Sequence, residues 1–420
     1  MSIEVLPLRN ACNLKCTYCY EEPLREREER EEHVPYDMGA MLSALDDEMS
    51  RDSSNQGFTI FGGEPLLVPL PDLERLLRHS YEKKGRSGVQ TNGALVTDAH
   101  VDLFKKYKTH VGFSIDGPED MNDARWAGSV QATRTVTARS QAALERLLQA
   151  GVGASLIVTL HRLNVGPAQK HLGRLVEWLR GLAAVGLKDV RLHLLEVDSP
   201  KAQILRLDDD ETVAALITLH RLEPQLGVRF DMFREMLALL RGRDEEVTCI
   251  WNACDPGTTG AVRGVGPRGE RLNCGRTNKD GISWLKSEQP SHMRQVALYQ
   301  TPQKDGGCAE CRFFIVCKGQ CPGEAIGGDP RNRSANCQVW FRMFSYLEQV
   351  LVYAREQPVS LRPDRKKIEQ AMLREWTSGN QPSVARGIAL AEGRSQTIGG
   401  SNGHADVPHG DQHGDHWDNA

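Results

Sequence analysis

The chain has 420 residues, 40% of them hydrophobic, and a formal net charge of −4. That length calls for two or more domains, and the near-balanced charge offers no polycationic face for nucleic acid or an anionic membrane. No run approaches the ~20 apolar residues that cross a bilayer, and no export signal opens the chain, so its eleven cysteines point to metal or catalysis in a reducing cytoplasm rather than to disulfides.

Residues 3–8 (Ile-Glu-Val-Leu-Pro-Leu) read as a short strand running into a loop that carries Cys12, Cys16 and Cys19. The spacing is C-x3-C-x2-C. Three thiolates so close together can hold three irons of a cubane cluster, and the missing fourth cysteine leaves one iron open. Tyr18 is placed to shield such a cluster. A zinc knuckle is the other metal chemistry open to these thiols. The charged run 21–33 reads as a solvated helix or loop with no chemistry. Met38, Met41, Leu42, Leu45 and Met49 recur at helical spacing, as a core-facing stripe does. Strands over 58–61, 88–91, 111–115, 154–160 and 190–197 then alternate with helical patterns. Those patterns include Leu73, Leu76 and Leu77, residues 142–148, and Leu172, Leu175, Val176 and Leu179. Six strands separated by helix-length segments predict an α/β fold with a parallel sheet of βα units.

Polar motifs fall where such a scaffold exposes its loops, after the strands. Gly62-Gly63-Glu64-Pro65 follows the second strand, Thr91-Asn92 the third, and Ser114-Ile-Asp116-Gly-Pro118 the fourth. The glycines allow close backbone approach to a ligand, and Glu64 can accept from an ammonium group. His161 and His193 stand at or near strand ends, where packing or hydrogen bonding is expected of them.

Together these loops and Cys12, Cys16 and Cys19 resemble the fingerprint of the radical S-adenosylmethionine (SAM) enzymes. The resemblance implies a partial (βα)6 barrel over residues 1–205. It implies a [4Fe–4S] cluster on the three cysteines, with SAM chelated at the open iron through its amino and carboxylate groups. An electron from a donor such as flavodoxin or ferredoxin would cleave SAM to a 5′-deoxyadenosyl radical. Gly62, Gly63 and Glu64 would bind the SAM amino group, and Thr91, Asn92, Ser114 and Asp116 would serve its ribose. Arg125 would lie near the methionine carboxylate, with Tyr18 beside the cluster.

Residues 206–248 are helical and charged and read as a bridge. Then follow Cys249, Cys254, Cys274 (at G-x4-C spacing from Gly269), Cys308-x2-Cys311-x5-Cys317-x3-Cys321, and Cys337. A zinc ribbon would account for Cys308 to Cys321 alone. The whole pattern over 249–356 resembles the SPASM domain of radical SAM enzymes that modify peptides and proteins. It implies two auxiliary [4Fe–4S] clusters, three clusters in all. One would use Cys249, Cys254, Cys274 and Cys321; the other Cys308, Cys311, Cys317 and Cys337. Three plus four plus four uses all eleven cysteines.

After a helix over 339–356, residues 357–420 read as a flexible tail with a short helix over 363–376 that carries Ile368, Met372 and Trp376 on one side. The tail ends in His404-Ala-Asp406, His409-Gly-Asp411, His413-Gly-Asp415 and Trp417-Asp-Asn419. Each triplet is an aromatic ring, any residue, then Asp or Asn. This resembles the core motif on which radical SAM/SPASM enzymes build three-residue cyclophanes. The helix near Met372 would then act as leader, and Gly399-Gly400 would mark a cleavage point. A tethered core has an effective concentration of ~mM, and a chain that opens on its first strand is expected to lack an N-terminal leader-binding module. The other reading is a His/Asp-rich tail that binds divalent metal or stays solvated.

Three functions are therefore weighed. The first is a maturase of a ribosomal precursor peptide, or of the chain's own tail from His404 to Asn419. The second is an anaerobic sulfatase maturase making formylglycine; it is weakened by Gly275, because those enzymes carry an Asp directly after the cysteine matching Cys274. The third is a non-catalytic Fe–S or metal-binding protein. None involves nucleic acid or a membrane.

Overall fold

Side-chain alternation sets the sheet. Ile3 and Val5 of β1 (Ser2–Val5), Phe58 and Ile60 of β2 (Phe58–Ile60), and Val89 of β3 (Ser87–Thr91) are at most 2% exposed. So are Val111 and Phe113 of β4 (Thr109–Ser114), Leu156 and Val158 of β5 (Ala154–Leu160), and Val190 and Leu192 of β6 (Asp189–Leu194). A period of two puts this set on one face and Glu4, Gln90, Ser114, Arg191 and His193 on the other. The buried face meets helices α1 (Met38–Ser50), α2 (Leu70–Lys84), α3 (Asp98–Lys106), α4 (Val130–Gln149) and α5 (Leu172–Ala184). Their fully buried Met41, Leu45, Leu73, Leu76, Leu77, Phe104, Leu144, Leu147, Leu175 and Leu179 complete that core. Each such side chain contributes roughly 1.5–3 kcal/mol of burial.

The computed structural model describes residues 2–22, 24–25, 35–51, 57–255, 257, 262–277 and 291–394. The ring-x-Asp triplets, Gly399-Gly400 and most of the charged run 21–33 lie outside them. Within them one sheet has the order β7-β6-β5-β4-β3-β2-β1-β8-β9, with β7 (Arg229–Phe230), β8 (Val262–Val265) and β9 (Arg271–Leu272). Every neighbouring pair is parallel except β8–β9. The parallel βα units are as the sequence predicts. The first strand stops at Val5 rather than at residue 8, because Pro7 cannot donate to a ladder and the chain turns over 7–10.

This sheet is curled. In a flat sheet β6 and β9 would stand about 34 Å apart, seven steps of ~4.8 Å. Yet Arg276, just past β9, forms an ion pair at 2.5 Å with Glu196, just past β6. The face carrying Glu4 and His193 therefore lines a partly open lumen.

The C-terminal half is built on α6 (Asp209–Leu226), α7 (Asp231–Leu240), α8 (Met293–Gln300) and α9 (Cys337–Tyr353). Trp251 packs edge-on against Trp340 and Phe344. One expectation needs correcting here. The stretch from 357 is not a flexible tail as far as it is described: α10 (Arg365–Thr377) and α11 (Val384–Ala391) dock on this half. Ile368, Met372, Trp376 and Val384 are at most 1% exposed, and Trp376 stacks edge-on against Phe314. The buried Asp244 ties α11 down by accepting from the Val384 amide at 2.8 Å, while Lys318 Nζ donates to the same carboxylate at 2.9 Å. Among the described residues, no helix is long and apolar enough to cross a membrane.

Candidate functional site

The cysteine loop is held from three sides. From the loop after β2, the Gly63 and Glu64 amides donate to Arg9 O (2.9 Å) and Ala11 O (2.8 Å). Beyond β3, Asn92 Nδ2 donates to Asn13 Oδ1 at 2.8 Å. From beyond β4, Trp126 O and Ala124 O accept from the Lys15 and Thr17 amides at 2.7 and 2.8 Å. The polar motifs are thus the walls that shape the loop. A Cβ on Gly63 would stand 2.3 Å from Ala11 O, and one on Gly62, at φ +127°, 2.5 Å from Arg9 O. These glycines are required by backbone-to-backbone contact with the loop, a reason the sequence does not display.

Glu64 has a similar inward task. It is 1% exposed and accepts from Thr91 Oγ1 (2.6 Å), the Asn92 amide (2.8 Å) and the Leu66 amide (3.0 Å). Burial raises its pKa against those three hydrogen bonds. Its carboxylate joins the loops after β2 and β3 rather than standing open to an ammonium group, as the sequence alone suggests. Ser114 Oγ accepts from Gln90 Nε2 at 2.9 Å and remains half-buried on the lumen side.

Asp116 is a hub. It is fully buried and accepts from Arg125 Nη2 (3.0 Å), the Thr159 amide (3.0 Å) and Tyr18 Oη, with His161 Nε2 at 3.3 Å. Burial alone would raise its pKa, but the Arg125 charge and the His161 and Tyr18 hydrogen bonds hold it below the usual carboxylate range. Asp116 therefore anchors the cysteine loop through Tyr18, instead of presenting itself to a ribose hydroxyl. His161 takes its ordinary hydrogen-bonding role. His193 lies in the lumen, kept neutral by burial and by the charges of Arg276 and Arg191.

All eleven cysteines are free thiols. Burial pushes Cys12 up to about 11 and Cys16 to about 12, and raises Cys19. Cys12 also senses the charge of Cys19, and Cys16 that of Cys19 and Cys12. The remaining eight sort in the same way. Cys249 is raised first by burial, then by Cys254 and Cys321, and Cys274 by burial and then by Cys249 and Cys321 among the thiols. Cys308 is raised by burial, Cys311 and Cys337, and Cys317 by burial, Cys337, Cys308 and Cys311. The charge influences among the thiols thus run within three sets: Cys12, Cys16 and Cys19; Cys249, Cys254, Cys274 and Cys321; and Cys308, Cys311, Cys317 and Cys337. The β8–β9 hairpin brings Cys274 back beside Cys249, and α9 begins on Cys337. Among the described residues no three Cys, His, Asp or Glu converge as the ligands of a single ion do.

Whether such groups suit a cubane can be tested on the donors present. Packed thiols this hard to ionise need cationic irons to become thiolates. Around the first group, Arg25 Nη1 donates to Leu14 O at 3.1 Å and its guanidinium also bonds the Cys19 thiol, while Arg125 Nε is buried without a partner. Two guanidinium groups beside three thiols fit an anionic cluster and a carboxylate-bearing ligand. Arg25 lies in the run read as chemically silent; nothing in its spacing marks it. Arg276, which is largely buried and ion-paired to Glu196 and Glu324, and Glu4 were also not foreseen. Glu4 lines the lumen, where burial, partly offset by Arg191, pushes its carboxyl up to about 7.

A curled parallel sheet with three cysteines after its first strand is the architecture of the radical SAM enzymes. Residues 6–175 match the family model of the radical SAM superfamily, so this part of the chain is a radical SAM domain. Such a domain implies a [4Fe–4S] cluster and SAM. A cysteine-type anaerobic sulfatase-maturating enzyme of Clostridium perfringens is 29% identical over 128 residues, 29% of this chain and 35% of that protein. The chain thus spans about a third of the length of the curated relative it matches. Among solved structures, native anSMEcpe with bound AdoMet shares the fold at TM-score 0.63 and 17% identity, covering 84% of this chain and 98% of that one. The same enzyme has been solved with AdoMet and a Cp18Cys peptide. Streptococcus suis SuiB bound to S-adenosylmethionine aligns at TM-score 0.55 and 14% identity, covering 80% and 77%; it too has been solved with a precursor peptide, SuiA.

Proposed function

We propose that the chain is a radical SAM peptide maturase with three [4Fe–4S] clusters, one on Cys12, Cys16 and Cys19 and one on each cysteine quartet. The observation that carries this reading is the sorting of eleven thiols into three, four and four, with none left over. When bound, the first cluster and SAM supply a 5′-deoxyadenosyl radical, which abstracts a hydrogen atom from an unactivated carbon. The chain's own residues hold the geometry. Asp116, Arg125 and Tyr18 fix the loop that carries the thiols. Arg125 and Arg25 offer charge to anionic groups, and Gln90 and Ser114 present polar atoms to the lumen. A flavodoxin- or ferredoxin-like donor fits the need for single electrons.

The favoured reaction is a carbon–carbon crosslink between an aromatic ring and the β-carbon of Asp or Asn two residues on. One hydrogen atom leaves to 5′-deoxyadenosine. A proton and an electron would leave as the ring bond forms, and a cluster held by either cysteine quartet would supply the electron acceptor. Gly275, where sulfatase maturases carry an Asp, supports this choice; the sulfatase-maturating relative supports formylglycine formation as the second reading. The domain division at 205 and 248 is part of the same proposal.

The test uses full-length protein reconstituted without oxygen and given SAM and a strong reductant. Roughly twelve irons per chain, 5′-deoxyadenosine, and a tail or partner peptide lighter by two hydrogens per crosslink are expected. Formylglycine in a sulfatase-derived peptide would shift the conclusion to the second reading; no 5′-deoxyadenosine at all would overturn both.

A further inference from the structure

Arg294, near the start of α8, carries its charge deep into the cysteine-rich half. It is 5% exposed. Its Nε donates to Pro330 O at 2.6 Å, and its Nη1 to Gln320 O at 3.1 Å and Cys254 O at 3.4 Å. Its Nη2 donates to Asn332 O at 2.8 Å and Gly319 O at 3.5 Å. Every acceptor is a neutral backbone carbonyl, and among the described residues no carboxylate forms an ion pair with it. Burying a guanidinium costs several kcal/mol, and carbonyl dipoles offset only part of that. This architecture is incomplete without an anion nearby.

The acceptors show which anion. Cys254 belongs to the first quartet. Gly319 and Gln320 link Cys317 of the second quartet to Cys321 of the first. The charges that bear most on Arg294 are those of Cys254, Cys321 and Cys308, drawn from both quartets, ahead of Asp255. Four thiolates around a [4Fe–4S] core leave a net charge of about −2, which grows by one on reduction, and net charge is a main determinant of cluster potential.

We propose that Arg294 is the shared countercharge of the two auxiliary clusters and holds both reduction potentials up. This rests on the reading that the quartets bind clusters. One fixed cation between two quartets stabilises the reduced form of each, so an electron taken up by one can pass to the other without a steep step. Arg294 is a positioning and tuning residue, and it touches no substrate.

The test compares wild type, R294K and R294Q as full-length, anaerobically reconstituted proteins. Iron and sulfide are counted, and the clusters are titrated with reductant under EPR. R294K should titrate close to wild type. R294Q should shift the oxidised-to-reduced ratio of the auxiliary signals at fixed poise about tenfold toward oxidised, leaving the signal of the cluster on Cys12, Cys16 and Cys19 unmoved. Loss of auxiliary iron in R294Q but not in R294K expresses the same charge requirement as binding and supports the proposal. Full iron with unmoved auxiliary signals in R294Q overturns it, as does R294K behaving like R294Q. A wild-type protein holding only about four irons would instead sink the quartet reading itself.

Discussion

At the scale of single residues, two carboxylates, Asp116 fully buried and Glu4 half-buried, do opposite things. Asp116 is held ionised by Arg125, Tyr18 and His161. Replacing it with Asn leaves Arg125 buried without a countercharge, a change that costs about 3–5 kcal/mol. Tyr18→Phe, which removes one hydrogen bond to that carboxylate, should cost about 1.5–3 kcal/mol. Denaturant midpoints of the two variants measure both, and equal losses would contradict the hub. Glu4 is the reverse case, with a folded pKa of about 7 against 4.5. Between those values the folded state keeps a proton that the unfolded chain has released, so stability falls as pH rises through the window and levels off above it. Wild type should lose about 1 kcal/mol from pH 6 to pH 8, and Glu4→Gln should not; parallel pH profiles would refute the assignment. The cysteines were legible in the sequence because spacing alone marks them. Arg276 and Glu4 were not, because their meaning lies in partners far away along the chain; Arg25, whose acceptor Leu14 is close in sequence, was hidden in a continuous run of charge.

Elements show what pattern can and cannot carry. The six strands and most of their helices were readable because each buries one face at a regular period. The β8–β9 hairpin was missed: four and two residues are too short for any periodicity, and its parallel pairing to β1 joins segments some 260 residues apart in the chain (Ile3 to Arg263). Helix α11 was hidden by its Gly- and Ser-rich surroundings, though Val384 and Asp244 fix it. Trp376→Ala on α10 should therefore cost about 3–5 kcal/mol in chemical denaturation, where a flexible tail would show no change. The Gly62-Gly63 turn was visible as a motif but its cause was not. Gly63→Ala should displace the cysteine loop and lower iron by about four per chain, with the auxiliary iron retained. Gly85→Ala is the control, since that helix-ending glycine, at φ +73°, has open space around its Cβ position. It should lose about 1 kcal/mol and no iron.

For the molecule as a whole, the barrel half and the cysteine-rich half share one sheet through the β1–β8 ladder, and Arg276 closes the lumen from the other side by pairing with Glu196 past β6 and with Glu324. Two halves joined by a ladder and a largely buried ion triad should open together, since neither can expose its edge without breaking the other's contacts. Arg276→Met tests this, because it strands two largely buried carboxylates at a cost of about 3–5 kcal/mol. In hydrogen exchange, the slowest amides of β4, in the barrel half, and of α9, in the cysteine-rich half, should lose protection by equal amounts. β4 is separated from β6 by β5 and from β9 by four strands, so it should respond only if unfolding is shared. Loss confined to α9 would mean that the cysteine-rich half opens alone, and that the ladder to β1 is a contact between two independently folding units.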